Sequence, residues 1–163
     1  MSAELDALIH EAADWLRIPS ISAGARNDEA LRAAAEWAQR RVLAAGGTCD
    51  LVDTPGGAPL VVGELKARDT APTVLIYGHY DVQDPGDERA WTTPPFEPDI
   101  RDGRLYARGA ADDKGNFLPL LHVACAMASD GGLPVNVRVL VEGEEEAGGE
   151  SVAEWVRADE RGA

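Results

Sequence analysis

His79 and Asp81 stand one residue apart in the stretch TVLIYGHYDVQD, residues 73–84, where an apolar run passes directly into Gly78 and the imidazole. On an extended chain, alternate side chains point to the same side, so the carboxylate can reach the ring. A metal-bound histidine usually donates its other ring N–H to an acidic or carbonyl oxygen, which fixes the tautomer and raises the basicity of the ligating nitrogen. The same pair also suits a partly buried histidine with a salt partner, and so short a motif does not choose between them. Two acidic groups lie downstream, Asp112-Asp113-Lys114-Gly115 and Glu142-Gly143-Glu144-Glu145-Glu146. Taken alone, the first suits a solvated helix start and the second a solvated surface. The second, however, follows an apolar strand pattern. Acids crowded at a sheet edge repel one another, and a divalent cation is the usual means of making them tolerable.

The elements that must carry these residues follow from periodicity. Leu5, Leu8, Ile9, Ala12 and Leu16 share a helical face over about Glu4 to Arg17, and Pro19 stops that helix. A polar break, SISAGARN, leads to a second helix with Leu31, Ala35, Ala38 and Val42 on one stripe, closed by Gly46 and Gly47. Strands are predicted at Thr48–Val52, Pro59–Lys66, Thr73–Tyr77 and Pro134–Glu142, with a hairpin over Ile100–Tyr106 turning at Asp102-Gly103. Pro85–Phe96 is a loop in which Trp91 can wall a pocket, whereas Trp15, Trp37 and Trp155 lie on helical segments and pack. A third helix carries Phe117, Leu118, Leu121, Ala124, Cys125 and Ala128 inward, with Pro119 expected in its first turn. A short helix spans about Ser151–Ala158.

Helices and strands alternate, so the fold class is α/β, a largely parallel or mixed sheet covered on both faces. Ligands gather beyond the carboxyl ends of strands in such sheets, and His79, Asp112 and Glu145-Glu146 all fall on connections of that kind. His10 and His122 read as ordinary helix residues.

Composition narrows the partners. The 163 residues are 45% hydrophobic, enough for one domain with a real core. A formal charge of −14 opposes nucleic-acid backbones and anionic membrane surfaces. With neither a leader pattern at the start nor an apolar run of spanning length, the expectation is a soluble cytoplasmic protein. Cys49 and Cys125 are too few for a disulfide framework and lack CxxC spacing; Cys125 reads as a small buried apolar residue. Neither a GxxxxGK[ST] phosphate loop nor a GxSxG nucleophile turn occurs.

In order, GHYDVQ, the WTTPPFEP loop, DGRLYARGAADDKG and EGEEEAGG resemble the dinuclear zinc amidohydrolase and metallopeptidase family of carnosine-type dipeptidases, glutamate carboxypeptidases, acetylornithine deacetylase and succinyl-diaminopimelate desuccinylase. The likeness runs from about Glu4 to Trp155, and the loop and hairpin look most like the dipeptidase branch. It implies a three-layer zinc-exopeptidase-like sheet flanked by helices. It also implies His79 as ligand of one zinc, Asp112 as the carboxylate bridging two, and Glu146 as ligand of the second. Asp81 would orient His79, Glu145 would be the general base, and the Asp112–Asp113 peptide would be cis. Zinc, or Mn2+ or Co2+ in its place, lowers the pKa of a bound water from 15.7 towards ~7 and polarises the scissile carbonyl. With three consecutive glutamates, the register of base and ligand rests on the resemblance alone.

Family members continue further, with another acidic ligand, a final histidine and a lid or dimerisation domain through which the parent would pair with a second copy. No histidine follows Glu146 here. The expectation is therefore an incomplete fold, with residues 1–163 forming the N-terminal part of a catalytic domain. The fragment would be inactive alone and would expose an apolar sheet edge. The parent would act on small peptides. The alternatives are an N-acyl amino-acid deacylase of the same family and a non-catalytic metal-binding or interaction fragment.

Overall fold

The computed structural model describes residues 3–160. Its centre is a four-stranded mixed sheet in the order β1-β2-β6-β3, formed by β1 (Thr48–Val52), β2 (Leu60–Leu65), β3 (Thr73–His79) and β6 (Asn136–Glu142). The β1–β2 and β2–β6 pairs are antiparallel, while β3 runs parallel to β6 with His79 opposite Glu142. That parallel pair brings two strand ends, and the chemistry-bearing residues on them, to one edge of the sheet. A separate hairpin, β4 (Asp99–Arg101) and β5 (Arg104–Tyr106), turns at Asp102 and Gly103, both with positive φ (51° and 72°), as the Asp-Gly dipeptide predicts.

Alternation divides the sheet into unequal faces. Val137, Val139 and Val141 of β6 point into the main core with Val61 and Leu65, where they meet α1 (Ala3–Leu16), α2 (Asp28–Ala44) and α3 (Lys114–Ser129). Trp15 lies at the heart of that core, stacked on Trp37 at 4.9 Å and tilted against Phe117. Among the described residues the other face is covered by α4 alone (Glu150–Ala158), whose Val152 and Trp155 pack on Leu60, Val62 and Leu140. Leu75 and Tyr77 of β3, opposite Arg138 and Leu140, remain exposed, and so does Val74 on the edge. Cover on both faces, as predicted, is thus complete on one side and partial on the other.

Helix signals read well. Asn27 caps α2, its Oδ1 accepting from the Ala30 amide at 3.1 Å, and Ala30, Leu31, Ala34, Ala35, Ala38 and Val42 form the buried stripe. Two expectations need correction. The strand continues through Gly78 to His79, because β6 offers a parallel partner at every step, so His79 ends the strand instead of following it. Pro119 lies inside α3, in its second turn and beyond the donors left free at a helix start. The inward packing of Phe117, Leu118 and Leu121 on either side of it sustains the helix.

Candidate metal centre

The end of β3 is fastened from both sides. Beyond His79 the chain continues beside residues 20–22 of the α1–α2 connection. There the Val82 amide donates to Ser20 O at 2.9 Å, the Ser22 amide to Val82 O at 3.3 Å, and Ser20 Oγ to Tyr80 O at 2.6 Å. Tyr80, wholly buried, donates its hydroxyl to Pro59 O at 2.7 Å. Its ring sits where a side chain on residue 143 would go: a Cβ there would lie 2.2 Å from the Tyr80 oxygen, so the start of the acidic turn requires glycine.

Asp81 is the hub of this region. Its Oδ2 accepts from Ser22 Oγ and from the Glu146 amide (3.0 Å), while its Oδ1 accepts from the Glu145 amide (3.3 Å) and lies 3.2 Å from His79 Nδ1, which also faces the Asp81 backbone carbonyl at 3.1 Å. The other ring nitrogen, Nε2, faces Asp112 Oδ1 at 3.0 Å and Glu145 Oε2 at 3.9 Å. Burial alone would lower the His79 pKa. The hydrogen bond and charge of Asp81, helped by Asp112 and Asp113, outweigh it and push the ring up to about 9.

Asp112 and Asp113 are joined by a cis peptide. Asp113 Oδ2 accepts from the His79 backbone amide at 3.3 Å, so the two successive aspartates meet different parts of one histidine. Next comes Lys114, buried at the start of α3, whose Nζ donates to Trp15 O at 3.1 Å and Ile18 O at 2.8 Å. Burial pushes its pKa down to about 7. The lysine thereby ties the end of α1 to the loop that carries Asp112.

Glu146 is not drawn in with the others, since its Oε2 accepts from Gln83 Nε2 at 2.9 Å. Among the described residues no three His, Cys, Asp or Glu side chains form a group that could hold a metal ion. The donor chemistry still fits one side of a divalent-metal site. Asp81 occupies the Nδ1 side of His79, which leaves Nε2 directed at a largely exposed carboxylate and within reach of a second. Of the five residues singled out from the sequence, His79, Asp81 and Asp112 meet through side chains, Glu145 approaches, and Glu146 joins only through its backbone amide.

Some participants were not singled out as site residues from the sequence. Ser22 lies in the polar break, 59 positions from Asp81. Glu142 is buried at the end of β6, with Tyr77 donating to its Oε1 and Oε2 left without a partner; burial raises its pKa. His122 and His10 behave as helix residues, His122 pairing with Glu11 at 3.0 Å. Trp91 does wall a cleft, of about 720 Å3, with Leu105 and Tyr106, and Ala110 and Ala111 at its end lead straight into Asp112. No described helix is long and apolar enough to cross a membrane.

The family model described as Peptidase family M20/M25/M40 matches residues 75–163. Over 117 residues the chain is 38% identical to the cysteinylglycine-S-conjugate dipeptidase of Corynebacterium striatum, covering 72% of this chain and 26% of that protein. The structure of human carnosine dipeptidase 1 superposes with a TM-score of 0.86 at 30% identity, over 94% of this chain and 35% of that one. The M20 family metallo-carboxypeptidase Sso-CP2 of Sulfolobus solfataricus does so with a TM-score of 0.82 at 33% identity, over 97% and 34%. The chain thus spans about a quarter of the length of the first curated relative and about a third of these solved structures.

Proposed function

Because the chain belongs to peptidase family M20/M25/M40, we propose that it supplies the His79 side of a divalent-metal centre that hydrolyses the amide bond of dipeptides or other small peptides. The observation that carries this reading is the division of labour around one imidazole, with a buried carboxylate at Nδ1 and an exposed one 3.0 Å from Nε2. His79, Asp112 and Glu146 would hold the metal, two zinc ions in the complete centre. Glu146 must first leave Gln83. When bound, the ion makes water acidic enough to yield hydroxide near neutral pH and polarises the carbonyl under attack.

The chain's own residues divide the remaining work. Asp81 keeps the Nδ1 proton of His79 in place and, through the Glu145 and Glu146 amides, holds the acidic turn in register with the histidine. Glu145, its side chain 49% exposed, takes a proton from the attacking water on its carboxylate and returns it to the leaving amine. A base adjacent in sequence to a ligand keeps its position with little chain left to order. The remaining donors, and a lid over the substrate, would come from sequence outside the matched quarter to third of the relatives.

The test has two parts. In equilibrium dialysis, the 163-residue chain should take up Zn2+ or Co2+ weakly and lose that uptake in His79→Ala and Asp112→Asn. Hydrolysis of Cys-Gly and carnosine should be negligible for this chain. It should appear in a chain extended to the relatives' length and disappear there in Glu145→Gln. Metal uptake indifferent to both substitutions would overturn the reading, as would full activity in Glu145→Gln.

A further inference from the structure

We propose that Ser22 is a positioning residue of the centre, its hydroxyl fixing the Asp81 carboxylate in the one orientation that serves His79 and the Glu145–Glu146 turn together. This rests on the metal-centre reading above and extends it to a residue on a different part of the chain.

A carboxylate has about four acceptor positions, and at Asp81 each has a claimant: Ser22 Oγ, the amides of Glu146 and Glu145, and His79 Nδ1. Two of the four donors are backbone amides of the turn and one is the imidazole to be oriented. Ser22 alone comes from outside both. The torsion that spins a carboxylate is broad and roughly two-fold, so without Ser22 only the Glu146 amide would bind Oδ2. The plane of the carboxylate, and with it Oδ1 beneath His79, would loosen.

Ser22 is well placed to act as a fixed point. It is buried, its amide donates to Val82 O at 3.3 Å, Ile21 bridges Val82 in parallel, and the Asn27 amide closes the loop on Ile21 O at 2.9 Å. Ser20 supplies a built-in control. It is equally buried on the same loop, but its hydroxyl donates to the Tyr80 carbonyl and does not reach Asp81.

The test uses the 163-residue chain and two readouts. The first is the imidazole N–H spectrum of His79 in the metal-free protein. The Asp81 carbonyl, 3.1 Å from Nδ1, still holds the proton in Ser22→Ala, so that variant should shift the Nδ1–H signal, Ser22→Thr should restore its position, and Ser20→Ala should lower the melting temperature while leaving the signal in place. The second is Co2+ titration followed by absorbance, in which Ser22→Ala should weaken binding about tenfold or more, the usual effect of removing a partner behind a ligand. An unchanged Nδ1–H signal in Ser22→Ala, or an equal change in Ser20→Ala, overturns the proposal. If the wild-type chain takes up no Co2+, or His79→Ala takes up as much, the metal-centre reading fails; the Nδ1–H comparison still decides the role of Ser22.

Discussion

Asp81 and Asp112 meet opposite nitrogens of the same imidazole, one with its side chain wholly buried and the other with its side chain 72% exposed. The buried carboxylate is surrounded by donors from three segments of chain, whereas Asp112 touches His79 and otherwise faces solvent. An anion stripped of water persists only where hydrogen bonds replace it. Asp81 is therefore fixed in direction and can orient its neighbours. Asp112 gives up little hydration and stays free to take a second partner. One side of the imidazole is finished by the fold, and the other is left open to a ligand.

The contrast predicts unequal costs for the same substitution. Asp81→Ala would strand Ser22 and two amides in a buried place and remove the charge beside His79, and should cost about 3–5 kcal/mol, in the range for removing one partner of a buried charged pair. Asp112→Ala removes an exposed group and should stay within about 0.5 kcal/mol. Urea unfolding of the two variants measures both, and equal losses would break the comparison. Next in size is Gly143→Ala. Its Cβ would fall 2.2 Å from the buried Tyr80 hydroxyl, an overpacking that should cost about 1–3 kcal/mol. Gly132→Ala, whose nearest outside atom is 4.0 Å away, should be close to neutral in the same assay.

A smaller effect tests the open side. Zn2+ or Co2+ at ten times its dissociation constant should stabilise the chain by about 1.4 kcal/mol, read as a rise in melting temperature. His79→Ala and Asp112→Asn should each abolish that rise, the latter with little change in its metal-free melt. A metal-dependent shift that survives in His79→Ala would mean that the ion binds elsewhere among the 29 acidic residues.

What could be read from the sequence follows the same divide. Periodicity located the first and last helices and the main strands to within a residue or two, and the buried stripes of the two helices between, because each buries a stripe whose spacing is local. It also brought His79, Asp112 and the glutamate run to one sheet edge, since strand ends and helix starts are local features as well. Beyond the pairing with His79, the hub at Asp81 was not legible. Its other donors are 59, 64 and 65 positions away, and a serine in a polar break looks like any other loop residue. Gly143 is equally silent until the Tyr80 ring is seen to fill the space a side chain would need. Pro119 was misplaced because tolerance of a helix-interior proline depends on tertiary packing, which no local pattern records.

Burial should also set the chemistry of groups remote from the centre, and the two thiols give the smallest test. Cys49 and Cys125 lie buried in the helix-covered face, where desolvation pushes their pKa values up to about 12 and about 11 from an ordinary value of 9.0. The folded chain therefore holds both thiols neutral at a pH where the unfolded chain begins to ionise them. Their contribution to stability is fully present below pH 9 and declines as pH rises from there towards the folded values. At pH 9.5 the loss should be on the order of 1 kcal/mol per thiol. Urea midpoints at pH 8 and 9.5, compared between the wild type and a Cys49→Ala/Cys125→Ala variant, isolate it from tyrosine and lysine titration common to both. A wild-type slope no steeper than that of the variant would mean that water reaches these sulfurs, and that the helix-covered face is no better sealed than the open side of His79.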